Sequence, residues 1–176
     1  NKFIIGGSAD LAASTKQIIS DNTFGSNNYD GNSIEFGIRE HAMGGIVNGL
    51  ALHSKLIPYG STFLVFSDYM RPSMRLASLM KVNSLFIFTH DSIYLGEDGP
   101  THQPVEHLMS LRLIPNLDVI RPANNKELIH SYRYALEKRD NPKVIVLSRQ
   151  NMKFFDHDVS YKDFQKGCLL YTSPSP

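Results

Sequence analysis

Ser84-Leu85-Phe86-Ile87-Phe88-Thr89 is a short, continuous apolar run, and it leads through His90-Asp91-Ser92 into the polar stretch Gly96-Glu97-Asp98-Gly99-Pro100-Thr101-His102-Gln103-Pro104. An apolar run of this length, without polar alternation, is what a strand covered on both faces requires. Leu117-Asp118-Val119-Ile120 and Lys143-Val144-Ile145-Val146-Leu147-Ser148 have the same character. So do Lys2-Phe3-Ile4-Ile5, which precedes Gly6-Gly7, and residues 56–66, which Pro58 and Gly60 interrupt. Between these runs apolar residues fall at helical spacing. Met43, Ile46, Val47, Leu50 and Ala51 do so within residues 41–52, and Met70, Met74, Ala77, Leu79 and Met80 within 69–82. Leu128, Ile129, Tyr132, Ala135 and Leu136 do so within 125–137. Strands alternating with such helices predict an α/β fold, a three-layer α/β/α domain with a mostly parallel sheet. Ligands of such sheets gather at loops beyond the carboxyl ends of strands, and residues 96–104 fall in one of those loops.

Composition narrows the function classes. The chain has 176 residues, 41% hydrophobic and 20% charged, which suits one globular domain and argues against disorder. Eighteen Lys and Arg oppose seventeen Asp and Glu, a formal net charge of +1, so no concentrated basic footprint for nucleic acid is expected. A single cysteine, Cys168, excludes an internal disulfide and a cysteine-built zinc site. No apolar run is long enough to span a membrane, and no charged-then-apolar leader opens the chain.

Five stretches could carry chemistry. Gly37-Ile38-Arg39-Glu40-His41-Ala42-Met43 opens a helix, where a carboxylate is favoured by the helix dipole; read alone, Glu40 is a first-turn acid. Phe63, Phe66 and Tyr69 recur every three residues, as core packing or as a slot for a planar ring. Residues 89–104 crowd His90, His102 and the acids Asp91, Glu97 and Asp98 into a loop that is costly to order unless its polar groups find partners. They fit a polyhydroxylated or phosphorylated ligand, or a metal held by His90, His102 and an acid such as Asp98 or Asp91. Leu147-Ser148-Arg149-Gln150-Asn151 puts an Arg where a strand ends, suited to a two-pronged grip on phosphate or carboxylate. Gly6-Gly7-Ser8-Ala9-Asp10-Leu11, with Ser14 following, is a glycine turn without the dinucleotide spacing. There is no Walker loop and no nucleophile elbow.

Taken in order and spacing, these stretches resemble the transketolase family over most of the chain, residues 1–155. The resemblance is to the middle, pyrimidine-binding domain of a thiamine-diphosphate-dependent enzyme. It implies transfer of a two-carbon ketol unit from a ketose phosphate to an aldose phosphate, as in the pentose phosphate pathway. By position, Glu40 resembles the glutamate that hydrogen-bonds the aminopyrimidine ring nitrogen. Phe63, Phe66 and Tyr69 resemble the aromatic pocket around that ring, and Asp10 an acid near the cofactor and the subunit boundary. His102 resembles a histidine beside the reacting carbon, and Asp98 the acid that binds a substrate hydroxyl. Ser14, His90 and Arg149 resemble the group that holds the sugar phosphate.

The resemblance further implies magnesium or calcium held with the diphosphate by a domain whose Gly-Asp-Gly motif this chain lacks. It implies a homodimer in the intact parent, a cytoplasmic or plastid setting, and no nucleic-acid or membrane partner. The chain therefore reads as a fragment, inactive alone, with residues 156–176 as a linker or truncated tail whose last ten residues match no family counterpart. Two other readings are a metal-dependent hydrolase built on His90, His102 and an acid, and a non-catalytic binding module that keeps the fold.

Overall fold

The computed structural model of the chain describes residues 3–17, 22–152 and 159–167. In chain order the elements are β1 (Ile4–Ser8), α1 (Ala12–Thr15), β2 (Ser33–Glu35), α2 (Glu40–His53), β3 (Ile57–Phe63), α3 (Ser67–Met80), β4 (Leu85–Thr89), α4 (His107–Arg112), β5 (Asp118–Ile120), α5 (Asn125–Glu137), β6 (Lys143–Val146) and α6 (Tyr161–Phe164). Single 3-10 turns follow β3 at Leu64–Phe66 and β4 at Ile93–Leu95.

The six strands form one sheet in the order β2-β1-β3-β4-β6-β5, and each pairing is parallel. β4 lies in the middle and is buried at all five positions. Its side chains alternate between faces. Phe86 and Phe88 join Met43 and Val47 of α2, Met70, Met74 and Ala77 of α3, Leu111 of α4, and Val144 and Val146 in one core cluster. Leu85 and Ile87 join Tyr59, Ile145 and Ala135 of α5 in a second cluster on the opposite face. Two covered faces explain the unbroken apolar run. The layered α/β/α architecture is the one predicted.

Boundaries and short elements differ from the expectation. β1 continues through Gly6 and Gly7 to Ser8, because both glycines lie in the ladder between β2 and β3. A Cβ at Gly6 would overlap the carbonyl of Tyr59, and one at Gly7 that of Ile34. α3 begins at Ser67, two residues early. α1, β2, α4 and α6 were not expected, and each is only three to six residues long. Of the stretch 156–176, residues 159–167 are described: His130 of α5 approaches the Val159 carbonyl at 3.0 Å, and Phe164 is buried. Cys168 and the last ten residues, apart from Gly167, lie outside the described residues, as does Lys2.

The helices do not bury all their apolar residues. Ile46 and Leu52 of α2, and Tyr69, Leu76, Leu79 and Met80 of α3, are exposed. α2 and α3 themselves pack closely because Gly44 is bare: a Cβ there would lie 2.7 Å from Ser73 Cβ.

Candidate functional site

The chain leaves β1 for β2 on one side and returns to β3 on the other, and β6 inserts between β4 and the edge strand β5. Such reversals open crevices at the carboxyl ends of the strands. Here the ends of β1, β3, β4 and β6 deliver the loops of the site. The residue after β4, His90, and the second residue after β1, Asp10, have positive φ, 59° and 61°. Non-glycine residues seldom adopt this conformation, and it concentrates at functional sites.

Ser14, Phe63, His90, Glu97, Asp98 and Arg149 line a pocket of about 300 Å³. Ser14 is carried by α1, whose seating is fixed by hydroxyls. Ser8 Oγ donates to the Ser61 carbonyl at 3.0 Å, and Thr15 and Ser61 hydroxyls meet at 3.4 Å. His90 is buried, stacks on Phe63 with centroids 3.6 Å apart, and has its Nδ1 2.9 Å from Thr89 Oγ1. Burial is the largest influence on the ring and pushes its pKa below the ordinary value; Asp98 and Asp91 oppose this, while Arg149 and His102 add to it. The neutral ring is thus favoured, and its Nε2 faces Asp98 Oδ2 at 3.9 Å. Arg149 Nε lies at the same distance from that oxygen, while Arg149 Nη2 donates to Glu97 Oε1 at 3.0 Å. A separation of 3.9 Å is too long for a hydrogen bond. Asp98 Oδ2 is accordingly a buried acceptor with no hydrogen-bond partner, and it faces an imidazole and a guanidinium.

The aromatic stretch forms a wall beside this pocket. Phe63 and Phe66 stack at 5.8 Å, only 9° from parallel. His102 stands edge-on to Phe66 at 5.4 Å, with Nδ1 2.8 Å from Thr101 Oγ1. Phe63 is buried and Phe66 half-buried, but Tyr69 is 67% exposed and only borders Phe66, at 6.2 Å. Glu40 is buried at the start of α2, 7% exposed. The described contacts join neither Glu40 nor the exposed Asp10 to the pocket lining.

The metal set of His90, His102 and an acid is not brought together among the described residues. Asp91 is committed to Arg121, which reaches Oδ2 at 2.7 Å, and His102 faces aromatic rings.

Three partners had no sequence signal that could have found them. Glu97 pairs with Arg149 across fifty-two residues. Thr89 meets the His90 ring through the reversed backbone. Ser73 Oγ donates to the His41 carbonyl at 3.0 Å and lies 2.8 Å from His41 Nδ1. Asn48 Nδ2 donates to the Ser73 carbonyl at 2.9 Å, and Ser84 Oγ to Asn48 Oδ1 at 2.7 Å. This polar ladder ties the first turn of α2, where Glu40 sits, to α3 and to the residue before β4.

Comparison with known proteins adds an independent line. The family description "Transketolase, pyrimidine binding domain" matches residues 1–154. The chain is 50% identical over 170 residues to the transketolase of Halalkalibacterium halodurans, covering 95% of this chain and 26% of that protein. It is 52% identical over 165 residues to a Staphylococcus aureus transketolase, covering 92% and 25%. A crystal structure of Pichia stipitis transketolase in complex with sedoheptulose-7-phosphate superposes with a TM-score of 0.88 at 41% identity, covering 93% of this chain and 25% of that one. The chain thus spans about a quarter of the length of these relatives.

Proposed function

The chain belongs to the transketolase family and carries its pyrimidine-binding domain, and from that premise we propose that it supplies the aminopyrimidine-binding and sugar-phosphate-binding half-site of a ketol-transferring enzyme. The observation that carries the proposal is the partnerless, buried Oδ2 of Asp98, faced by His90 and Arg149 at 3.9 Å in a pocket at the strand ends. The Asp98 oxygen would accept from a sugar hydroxyl, and the His90 ring would hydrogen-bond the same chain of oxygens. Arg149, with Ser14 across the pocket, grips the phosphate; a guanidinium and a phosphate match in charge and in planar two-point geometry. His102 is 2.8 Å from the Thr101 hydroxyl. That contact orients the ring to pass a proton to or from a substrate oxygen near the reacting carbon.

The residues present fit the ring of thiamine diphosphate: two stacked phenylalanines give an apolar wall, and the buried Glu40 carboxyl gives a hydrogen-bonding group at a helix start. Phe63, Phe66 and Tyr69 would bound the ring, Glu40 would hydrogen-bond its nitrogen, and Asp10 would stand at the cofactor's edge. When bound, the cofactor supplies the electron sink for breaking the carbon–carbon bond. Magnesium or calcium would be held with the diphosphate by parts of the enzyme outside residues 1–155. The remaining residues, 156–176, are proposed to link onward. A homodimer is part of the proposal, because the outer faces of α2 and α3 leave Ile46, Leu76 and Leu79 exposed and such surfaces mark interfaces. Among the described residues no helix is long and apolar enough to cross a membrane; the proposed setting is the cytoplasm or a plastid, with no nucleic-acid partner.

The test replaces the matching segment of a full-length transketolase with this chain and assays ketol transfer with thiamine diphosphate and magnesium. Activity that falls by about 10²–10⁴-fold in Glu40→Gln, the range for loss of a positioned proton-handling group, supports the reading. A folded, cofactor-loaded chimera whose activity ignores Glu40 overturns it.

A further inference from the structure

His107, the first residue of α4, is 5% exposed, and its two ring nitrogens face two different carboxylates. Nε2 lies 3.0 Å from Asp68 Oδ2. A carboxylate only accepts, so the contact makes Nε2 the donor and leaves Nδ1 as the ring nitrogen turned away from Asp68. Nδ1 is buried and has no hydrogen-bond partner, yet Glu106 Oε2 stands 3.9 Å away. A buried ring nitrogen without a partner costs energy, and a cation held between it and the Glu106 carboxylate would remove that cost.

Tetrahedral zinc, about 2.1 Å from both an imidazole nitrogen and a carboxylate oxygen, sets those two atoms about 3.4 Å apart. They are 3.9 Å apart here, and the Glu106 side chain, 73% exposed, is free to close the difference. The outer geometry also matches: a metal-bound histidine usually donates its other N–H to a carboxylate, as His107 does to Asp68. Ligand atoms of Asp68, Glu106 and His107 all lie within 4.8 Å of one another. Arg71 occupies the other Asp68 oxygen, Oδ1, at 3.4 Å, which leaves Oδ2 for the histidine.

We propose that His107 Nδ1 and the Glu106 carboxylate bind a zinc-class divalent ion, with Asp68 orienting the imidazole and water completing the coordination. Mixed nitrogen and oxygen donors suit zinc over magnesium or calcium, which prefer oxygen alone. The ion would join Glu106 to His107 at the start of α4, and the His107 Nε2–Asp68 hydrogen bond carries that anchor to the first turn of α3. That would fix the far end of the loop carrying Asp98 and His102. The proposal uses none of the residues assigned to cofactor or substrate, so it stands or falls separately from them.

The test is calorimetric titration of the chelator-treated chain with zinc sulfate, repeated with cobalt and read by visible absorption. One zinc per chain is expected. Binding should vanish in His107→Gln and in Glu106→Gln, and weaken about 10–100-fold in Asp68→Asn, the usual loss when a ligand's hydrogen-bond partner is removed. Glu106 is 73% exposed, so its variant answers the question even where His107→Gln unfolds. No saturable zinc binding, or binding unchanged in Glu106→Gln, overturns the proposal.

Discussion

The pocket at the ends of β4 and β6 and the wall at the ends of β2 and β3 are built differently. The pocket is furnished from within: Thr89 meets His90, Glu97 pairs with Arg149, and Asp98 keeps a buried oxygen free. The wall is open. Glu40 is buried but joins no described partner of the pocket, Tyr69 is 67% exposed, and the helices behind it show apolar side chains to solvent. The contrast sets a pocket already furnished with polar groups against an open apolar surface. Under the proposed function the first receives a small polar ligand and the second awaits a facing subunit.

Both regions hang on the same sheet, so the largest expected effect removes the scaffold they share. Phe88 has no exposed surface and joins the cluster that unites α2, α3 and β6. Phe88→Ala should destabilise the chain by about 3–5 kcal/mol in urea unfolding; a loss under about 1 kcal/mol would mean the two halves are not held by this core. A smaller cut sharpens the comparison on the wall side. Ser73→Ala removes the hydroxyl that grips the first turn of α2 and should cost about 1 kcal/mol. It should also lower hydrogen-exchange protection at the amides of α2's first two turns while leaving β4 unchanged. Equal loss in both places would break the link between Ser73 and Glu40's helix.

The smallest effect lies in the pocket. His90's pKa is lowered in the folded chain, chiefly by burial, so the unfolded chain takes up the proton first as pH falls. Stability should therefore rise with pH across the window from the folded value up to the ordinary 6.5, and this contribution should be flat above it. His90→Asn tolerates the left-handed backbone and should flatten that slope. A slope that survives the substitution assigns the effect to another group.

Legibility in the sequence followed the physics of each element. β4 and β6 could be read directly, because burial on both faces leaves no polar residue to interrupt them. β2 could not, since three residues, Ser33–Glu35, at an edge carry no period. α1 is four residues in length and α4 six, too short to show an apolar stripe. Leu79 and Ile46 sit at helical spacing yet face outward, because spacing alone does not say which face a second layer will cover. In the site, Ser14, His90, Asp98 and Arg149 were singled out by motif, and the structure draws them into one pocket. Glu97 and Thr89 were invisible as partners, since an ion pair across fifty-two residues and a backbone reversal at φ 59° leave no local mark.

The most direct measurement compares Glu40→Gln with Arg149→Ala in the chimeric enzyme, using a phosphorylated and an unphosphorylated ketose donor. Two separable regions predict that Glu40→Gln lowers kcat for both donors alike. Arg149→Ala should raise KM for the phosphorylated donor by about 10–100-fold, the worth of a charged hydrogen bond, and leave the unphosphorylated one nearly unchanged. The same pattern from both variants would contradict the division of labour on which this account rests.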